Sequence, residues 1–234
     1  MHIPDGVIDG GTSAVAGVVA ITGISICAKK TGETLDERQV PLAGLSAAYV
    51  FAAQMLNFPV AGGTSGHLLG AVLAAVLVGP YAGAICVTVV LTVQALLFAD
   101  GGLSALGLNV VNMALVGSFG GYLIFAGIRR LLRPTARSVV AAASVAAAAA
   151  PVLAALAFTL EYAIGGNDAA AVSTVAAAMV GVHLLIGIGE GVITGLTVAA
   201  VMATRPDLVY GARDLLVATA AADGTAVGAP ARAA

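Results

Sequence analysis

The stretch VVAAASVAAAAAPVLAALAFTLEYAI, Val139–Ile164, holds 26 residues with one acid, Glu161, and no basic side chain. As a helix it is about 39 Å long, enough to cross the hydrocarbon core of a bilayer, about 30 Å thick. A soluble helix of that length would carry a polar face; this one has none to offer water. Val172–Thr204 repeats the pattern with Glu190 as its lone carboxylate. Working outward, apolar runs separated by polar or Gly/Pro punctuation divide the chain into seven predicted helices. They lie over Gly11–Ala28, Val40–Leu56, His67–Gly79, Tyr81–Ala99, Leu103–Ile128, Val139–Ile164 and Val172–Thr204. The third is short and ends at Gly79-Pro80, which predicts a tight helical hairpin with the fourth.

Composition agrees with this division. Of the 234 residues 60% are hydrophobic and 9% charged, and the mean hydropathy is +1.04. Soluble domains carry roughly 25% charged residues, so this chain lacks the polar side chains to cover a globule. The 30 glycines and many alanines suit helices whose backbones approach closely in lipid. The expected fold is all-α, a polytopic transmembrane bundle. Residues 1–208 form its single domain and 209–234 a C-terminal tail. No basic patch with interleaved aromatics exists, which excludes nucleic acid as a partner. Cys27 and Cys86 both lie in apolar runs and read as small buried hydrophobes, not as a disulfide.

Charge sets an orientation. Lys29, Lys30 and Arg38 follow the first run, Arg129, Arg130, Arg133 and Arg137 the fifth, and Arg205, Arg213 and Arg232 the seventh. With seven spans all of them share one side, which the positive-inside rule makes cytoplasmic. Asp5, Asp9, Asp100, Glu161 and Asp168 occupy the other side. The N-terminus is therefore expected outside and the C-terminus inside. Met1-His2-Ile3-Pro4-Asp5-Gly6 has no Lys or Arg, so it does not open a cleavable signal peptide, and the first span is expected to stay.

Chemistry concentrates at the outer end. A histidine in second position offers a metal three nitrogens from two residues: the terminal amine, the next amide and the imidazole Nδ1. They close a five- and a six-membered chelate ring. Nickel(II), copper(II) and, less readily, cobalt(II) favour such nitrogen-rich tetragonal sites, whereas magnesium and calcium do not. The bulk of His2 should protect Met1 from aminopeptidase, and Pro4 with Asp5-Gly6 predicts a turn that folds the terminus toward the bundle. Otherwise His2 is a solvated terminal residue. The candidate for a fourth nitrogen is His67, in the glycine-rich loop Gly62-Gly63-Thr64-Ser65-Gly66-His67 on the same side.

These residues resemble a known family. Met1–Gly6, Asn57–Gly70, Gln94–Leu103, Leu106–Met113, His183–Glu190 and Arg205–Leu208 are similar to the CbiM/NikM substrate-binding subunits of energy-coupling factor importers for cobalt and nickel. The resemblance covers nearly the whole chain and implies a metal held by Met1, His2 and His67. It implies a transport subunit, not an enzyme, in a prokaryotic cell membrane, with cobalt(II) or nickel(II) as cargo. Its implied partners are a transmembrane coupling subunit, two ATPase subunits and a small accessory membrane protein. The chain has no G-x-x-x-x-G-K-[ST], so it cannot bind ATP by a P-loop. Asp5, Ser65, Asp100, Asn109 and Asn112 are candidates for a supporting shell around the ligands. For Asp100 and the two asparagines, helix caps or bonds between spans are equally good readings, and for Asp5 an Asx-turn is.

Gln94 is expected to bond between helices. His183 and Glu190 share a face of the last span, two turns apart, and read as packing, subunit docking or metal passage. An ionised Glu190 in lipid would be costly, so it must be protonated, paired or close to the membrane surface. The rival function is an intramembrane serine protease of the rhomboid type. It would use Ser65 of Gly63-Thr64-Ser65-Gly66 with His183 as base, and would leave the N-terminal motif without a role.

Overall fold

The computed structural model describes residues 1–60, 64–167 and 169–222, without the side chains of 38, 58–60, 64, 65 and 218–222. Helices fall on all seven apolar runs: α1 (Gly10–Thr34), α2 (Val40–Gln54), α3 (Ala71–Val78), α4 (Pro80–Leu97), a composite helix over Leu106–Leu131, α7 (Ala136–Gly165) and α8 (Val172–Thr204). The composite helix joins α5 (Leu106–Asn109) and α6 (Gly121–Leu131) through a π-helical segment, Val110–Gly120. Five of these are long and apolar enough to cross a membrane: α1, α4, the composite helix, α7 and α8.

Their lengths follow from local chemistry. Asp9 caps α1 by accepting the Gly11 and Thr12 N–H groups at 2.7 and 3.0 Å. That helix continues to Thr34, beyond the predicted Ala28, because Lys29 and Lys30 are good helix formers once outside the apolar run. Thr135 and Ser138 make a capping box at the start of α7. The expected hairpin of α3 and α4 is present, turning at Gly79 (φ 94°) with Pro80 opening α4.

The third run does not form the predicted helix from His67. Gly70 turns the chain in the left-handed region at φ 72°, where an added Cβ would also lie 2.7 Å from Val50 Cγ2, and helix begins only at Ala71. At eight residues, α3 is about 12 Å long and cannot cross alone. All of its side chains are buried. The segment before it forms a small antiparallel hairpin, β1 (Phe58–Val60) with β2 (Thr64–Gly66), within a bundle that is otherwise helical as expected. Too rich in glycine for helix, this stretch satisfies its backbone by pairing with itself.

Packing depends on small residues. Ala142, Ala143, Ala146, Ala147, Ala150 and Ala154 of α7 are fully buried. Gly187, Gly191 and Gly195 of α8 lie against α7 at Ala148 and Ser144, leaving no room for a side chain. The outer surface is apolar: Ile21 is 72% exposed and Leu185 71%, as lipid-facing side chains are. Cys27 and Cys86 are buried free thiols, as predicted.

The bundle has two distinct ends. At one, the N-terminal segment meets the loops after α4 and α7: Gly102 N–H donates to Ile3 at 2.8 Å and Asp9 N–H to Gly165 at 2.7 Å. At the other, Arg213 donates to Gln39 at 2.9 Å, and Arg129 pairs with Asp214 of α9 (Arg213–Ala222) at 2.6 Å. The described part of the C-terminal tail thus packs on the basic end; the remainder, with Arg232, lies outside the described residues, as does Asp168.

Candidate metal-binding site

At the acidic end the first residues enter the bundle instead of lying on it. Met1 is 2% exposed, His2 3% and Ile3 0%. Asn109, on the last turn of α5, holds them. Its Oδ1 accepts the Ile3 N–H at 2.8 Å and its Nδ2 donates to the Ile3 carbonyl at 3.3 Å. Farther out, Asp5 accepts the Ser104 N–H at 2.8 Å and the Ser104 hydroxyl at 2.5 Å. Gly6 (φ 81°) turns the chain as Asp5-Gly6 predicted, and Asn167 N–H donates to Val7 at 3.1 Å. Hydrogen bonds to Ser104 and to the Leu103 and Ala105 amides hold Asp5 below the usual carboxylate range.

His67 arrives from the connection between β2 and α3. Its ring lies 4.6 Å from that of His2, centroid to centroid, tilted by 31°. The structure therefore brings together the two histidines singled out in the sequence, both inside the bundle. His67 Nδ1 faces the Leu68 carbonyl at 2.8 Å, and a carbonyl only accepts, so this nitrogen carries the proton. Nε2 is left as a bare lone pair, buried and without a hydrogen bond. His2 Nε2 also lacks a hydrogen bond and lies 3.6 Å from Asp100 Oδ2. Asp100 in turn accepts from Asn57 Nδ2 at 3.2 Å.

Burial makes this a site of neutral nitrogens. It pushes the Met1 amine from its ordinary 8.0 down to about 4, against the opposing pull of Asp100. His2 also falls to about 4, through burial and then the neighbouring amine, with Asp100 again opposing. His67 drops well below 6.5 for the same two leading reasons. Neutral amine and imidazole lone pairs in a dry interior are donors for a soft or borderline divalent cation. Among the described residues no three His, Cys, Asp or Glu side chains form a ligand cluster.

The remaining candidates divide. Asn112 donates to Glu161 at 2.6 Å, a bond between helices and not a contact with either histidine. The side chain of Ser65 lies outside the described residues. His183 is fully buried, its Nδ1 facing the Met179 carbonyl at 2.7 Å and its Nε2 without a hydrogen bond. Glu190 accepts the N–H groups of Leu69 and Gly70, so it is paired, one of the three ways predicted for it to be tolerated. Gln94 departs from expectation: its amide is buried with no hydrogen-bond partner among the described residues. Gln54 was missed in the sequence, yet its Nε2 donates to the Leu69 carbonyl at 2.8 Å. Its only sequence signal is a lone amide near the end of an apolar run.

Comparison with known proteins gives this geometry a context. Residues 2–208 match the family model CbiM, described as the cobalt uptake substrate-specific transmembrane region. A putative fused nickel transport protein NikMN of Archaeoglobus fulgidus is 41% identical over 209 residues, covering 89% of this chain and 68% of that one. The cobalt transport protein CbiM of Geobacter sulfurreducens is 36% identical over 215 residues, 89% of this chain and 61% of that one. The chain thus spans about two thirds of the length of these relatives. A crystal structure described as that of a transition metal transporter superposes with a TM-score of 0.80 at 34% identity, covering 86% of this chain and 92% of that one.

Proposed function

This chain belongs to the CbiM family of cobalt uptake substrate-specific transmembrane regions, and from that membership we propose that it captures cobalt or nickel ions for import across a prokaryotic cell membrane. The cargo ion is held by four nitrogens: the Met1 amine, the His2 amide, His2 Nδ1 and His67 Nε2. The observation that carries this reading is the pair of buried imidazoles 4.6 Å apart, brought together from the chain's first residues and a glycine-rich loop. His67 Nδ1–H on the Leu68 carbonyl fixes the tautomer that leaves Nε2 for metal. With His2 Nδ1 on the ion, its Nε2–H points toward Asp100, so a small closing of the 3.6 Å gap completes a carboxylate–imidazole–metal chain.

The acidic end faces outward in this proposal. Lys29, Lys30, Arg129, Arg130, Arg133, Arg137, Arg205 and Arg213 all belong to the opposite end, which the positive-inside rule assigns to the cytoplasm. Seven passes are counted when α2 and the half-length α3 with its extended lead-in are included. The span interiors are nearly free of charge, and the chain has no P-loop, so energy comes from partners. We assign these as a transmembrane coupling subunit, two ATPase subunits and a small accessory membrane protein, the energy-coupling factor arrangement. Fusion in the Archaeoglobus relative's name is consistent with tight association between components.

Metal content and affinity of the purified chain, its Met1 verified by intact mass, test the site. Wild type should bind nickel(II) or cobalt(II), while a form with one added N-terminal residue should lose binding. Normal affinity in the extended form would refute the terminal-amine chelate.

A further inference from the structure

Glu190 reaches the metal-site loop from the middle of α8, 121 residues away in sequence from Leu69. One carboxylate oxygen accepts the Leu69 N–H at 2.6 Å and the other the Gly70 N–H at 2.5 Å. Both amides belong to the extended stretch between β2 and α3, where no helix or strand supplies acceptors. Gln54 of α2 takes the opposite side of the same residue, donating to the Leu69 carbonyl. Val50 of α2 packs so closely on Gly70 that a Cβ there would lie 2.7 Å from its Cγ2. Among the described residues, the side chains that hydrogen-bond the backbone two residues after His67 thus come from α2 and α8, while Gly117 of the composite helix packs on the Leu69 side chain. Neither helix holds Ile3, whose clamp is Asn109 of α5.

The residue type fits this task. Two successive N–H groups need two acceptors at a fork's spacing, which a carboxylate presents and an amide does not. A glutamine would turn its NH₂ toward one of the two N–H groups. At 2% exposure a carboxylate is tolerated only when paired, and these two amides at the start of α3 are its partners.

We propose that Glu190 is the positioning residue for His67, and that through it the placement of α8 controls how tightly the metal is held. Displacing α8 draws Leu69–Gly70 with it and withdraws His67 Nε2 from the nitrogens of the N-terminal arm. This rests on the metal-site reading above, and it names the helix whose movement releases the ion.

A double-mutant cycle with nickel(II) on the detergent-purified full chain tests it, read by calorimetric affinity and by the ligand-field absorption of the bound ion. Glu190→Gln should weaken binding by about 10–100-fold, as loss of a ligand's supporting partner does, and shift the absorption band. In a His67→Ala background the same substitution should change affinity by less than about twofold, because the residue it acts through is gone. Unchanged affinity in Glu190→Gln, or an equal loss in both backgrounds, would overturn the proposal. Should Glu190→Gln fail to fold, Gln54→Leu loosens the same peptide from α2 and runs through the same cycle with the same expected and refuting outcomes. If His67→Ala alone binds nickel like wild type, the metal-site reading falls; if it loses binding while Glu190→Gln does not, only the role of Glu190 falls.

Discussion

The N-terminal arm and the His67 arm meet as two imidazoles, yet the chain holds them by different means. Residues 1–9 are tied along their length to Asn109, to the loop carrying Gly102 and Ser104, and to Gly165 and Asn167 at and after the end of α7. The His67 arm hangs between a short hairpin and a half-length helix, and after His67 two side chains, Gln54 and Glu190, grip its backbone. One arm is a lining fixed to the bundle; the other is a tongue held from α2 and α8. In the proposed site the first supplies three nitrogens in fused rings and the second supplies one. Such a division lets a single arm move without dismantling the chelate.

The largest effect should separate the arms directly. His2→Ala removes the imidazole that closes the six-membered ring, and with it the drive to ionise the amide. Affinity for nickel(II) should fall by more than the roughly 100-fold upper bound for supporting residues. His67→Ala leaves three chelating nitrogens and should cost distinctly less, with a measurable affinity remaining by calorimetry. Equal losses would break the division of labour. Next in size is Asn109→Leu, which frees Ile3 and strands its buried N–H. An unsatisfied group of that kind costs about 1–3 kcal/mol, and metal affinity should drop by about 10–100-fold. Unlike Glu190→Gln, this loss should persist in the His67→Ala background, because it acts through the other arm.

Smaller still is the dependence on pH. The Met1 amine and His2 both titrate near 4, lowered by burial, and His67 also lies below its ordinary value. With the Met1 amine and His2 near 4, neither has a proton for the metal to displace between pH 6 and 7.5, and burial moves His67 in the same direction. Only the His2 amide releases one on binding. Affinity should therefore rise with pH by about tenfold per unit, the signature of one proton. An exposed terminus with an ordinary amine would rise by about a hundredfold per unit or more over the same range. A titration slope of two protons or more would mean that the N-terminal arm is wet before metal arrives.

Much of this was legible in the sequence because the bilayer imposes long apolar runs. Val172–Thr204 coincides with α8, and Gly79-Pro80 marked the hairpin. What escaped were features set by tertiary contact. Helix in the third run starts only at Ala71, after a left-handed Gly70 packed against Val50, a contact invisible from local pattern. The π segment at Val110–Gly120 leaves no periodicity to read among so many apolar residues. Gly187, Gly191 and Gly195 do repeat every four residues, but alanine and glycine are so common here that this spacing did not stand out. At the site, the pairing of His2 with His67 was reached from chelate chemistry and family resemblance together. Gln54 was not, and Glu190 was singled out without its partners, since nothing in a sequence places Leu69 between the two.

Asp5 gives the smallest predicted effect and the sharpest test of where the N-terminal arm is held. Its carboxylate ties the arm to the Ser104 loop by accepting the Ser104 N–H and hydroxyl and, at 3.3 Å, the Leu103 N–H, the pattern of a main support. Yet the group is solvent-facing, and the water that replaces it in Asp5→Ala satisfies the same Ser104 donors. Between Asp5 and the ligands stands Ile3, which is fully buried and bonded to both Asn109 and Gly102. Loosening at residue 5 should therefore be absorbed there, and nickel affinity should change by only about twofold, as for other exposed substitutions. If Asp5→Ala instead matched Asn109→Leu in a calorimetric titration, the arm would be held from its exposed end. His2 would then be as mobile as His67, and the contrast between a fixed arm and a movable one would not survive.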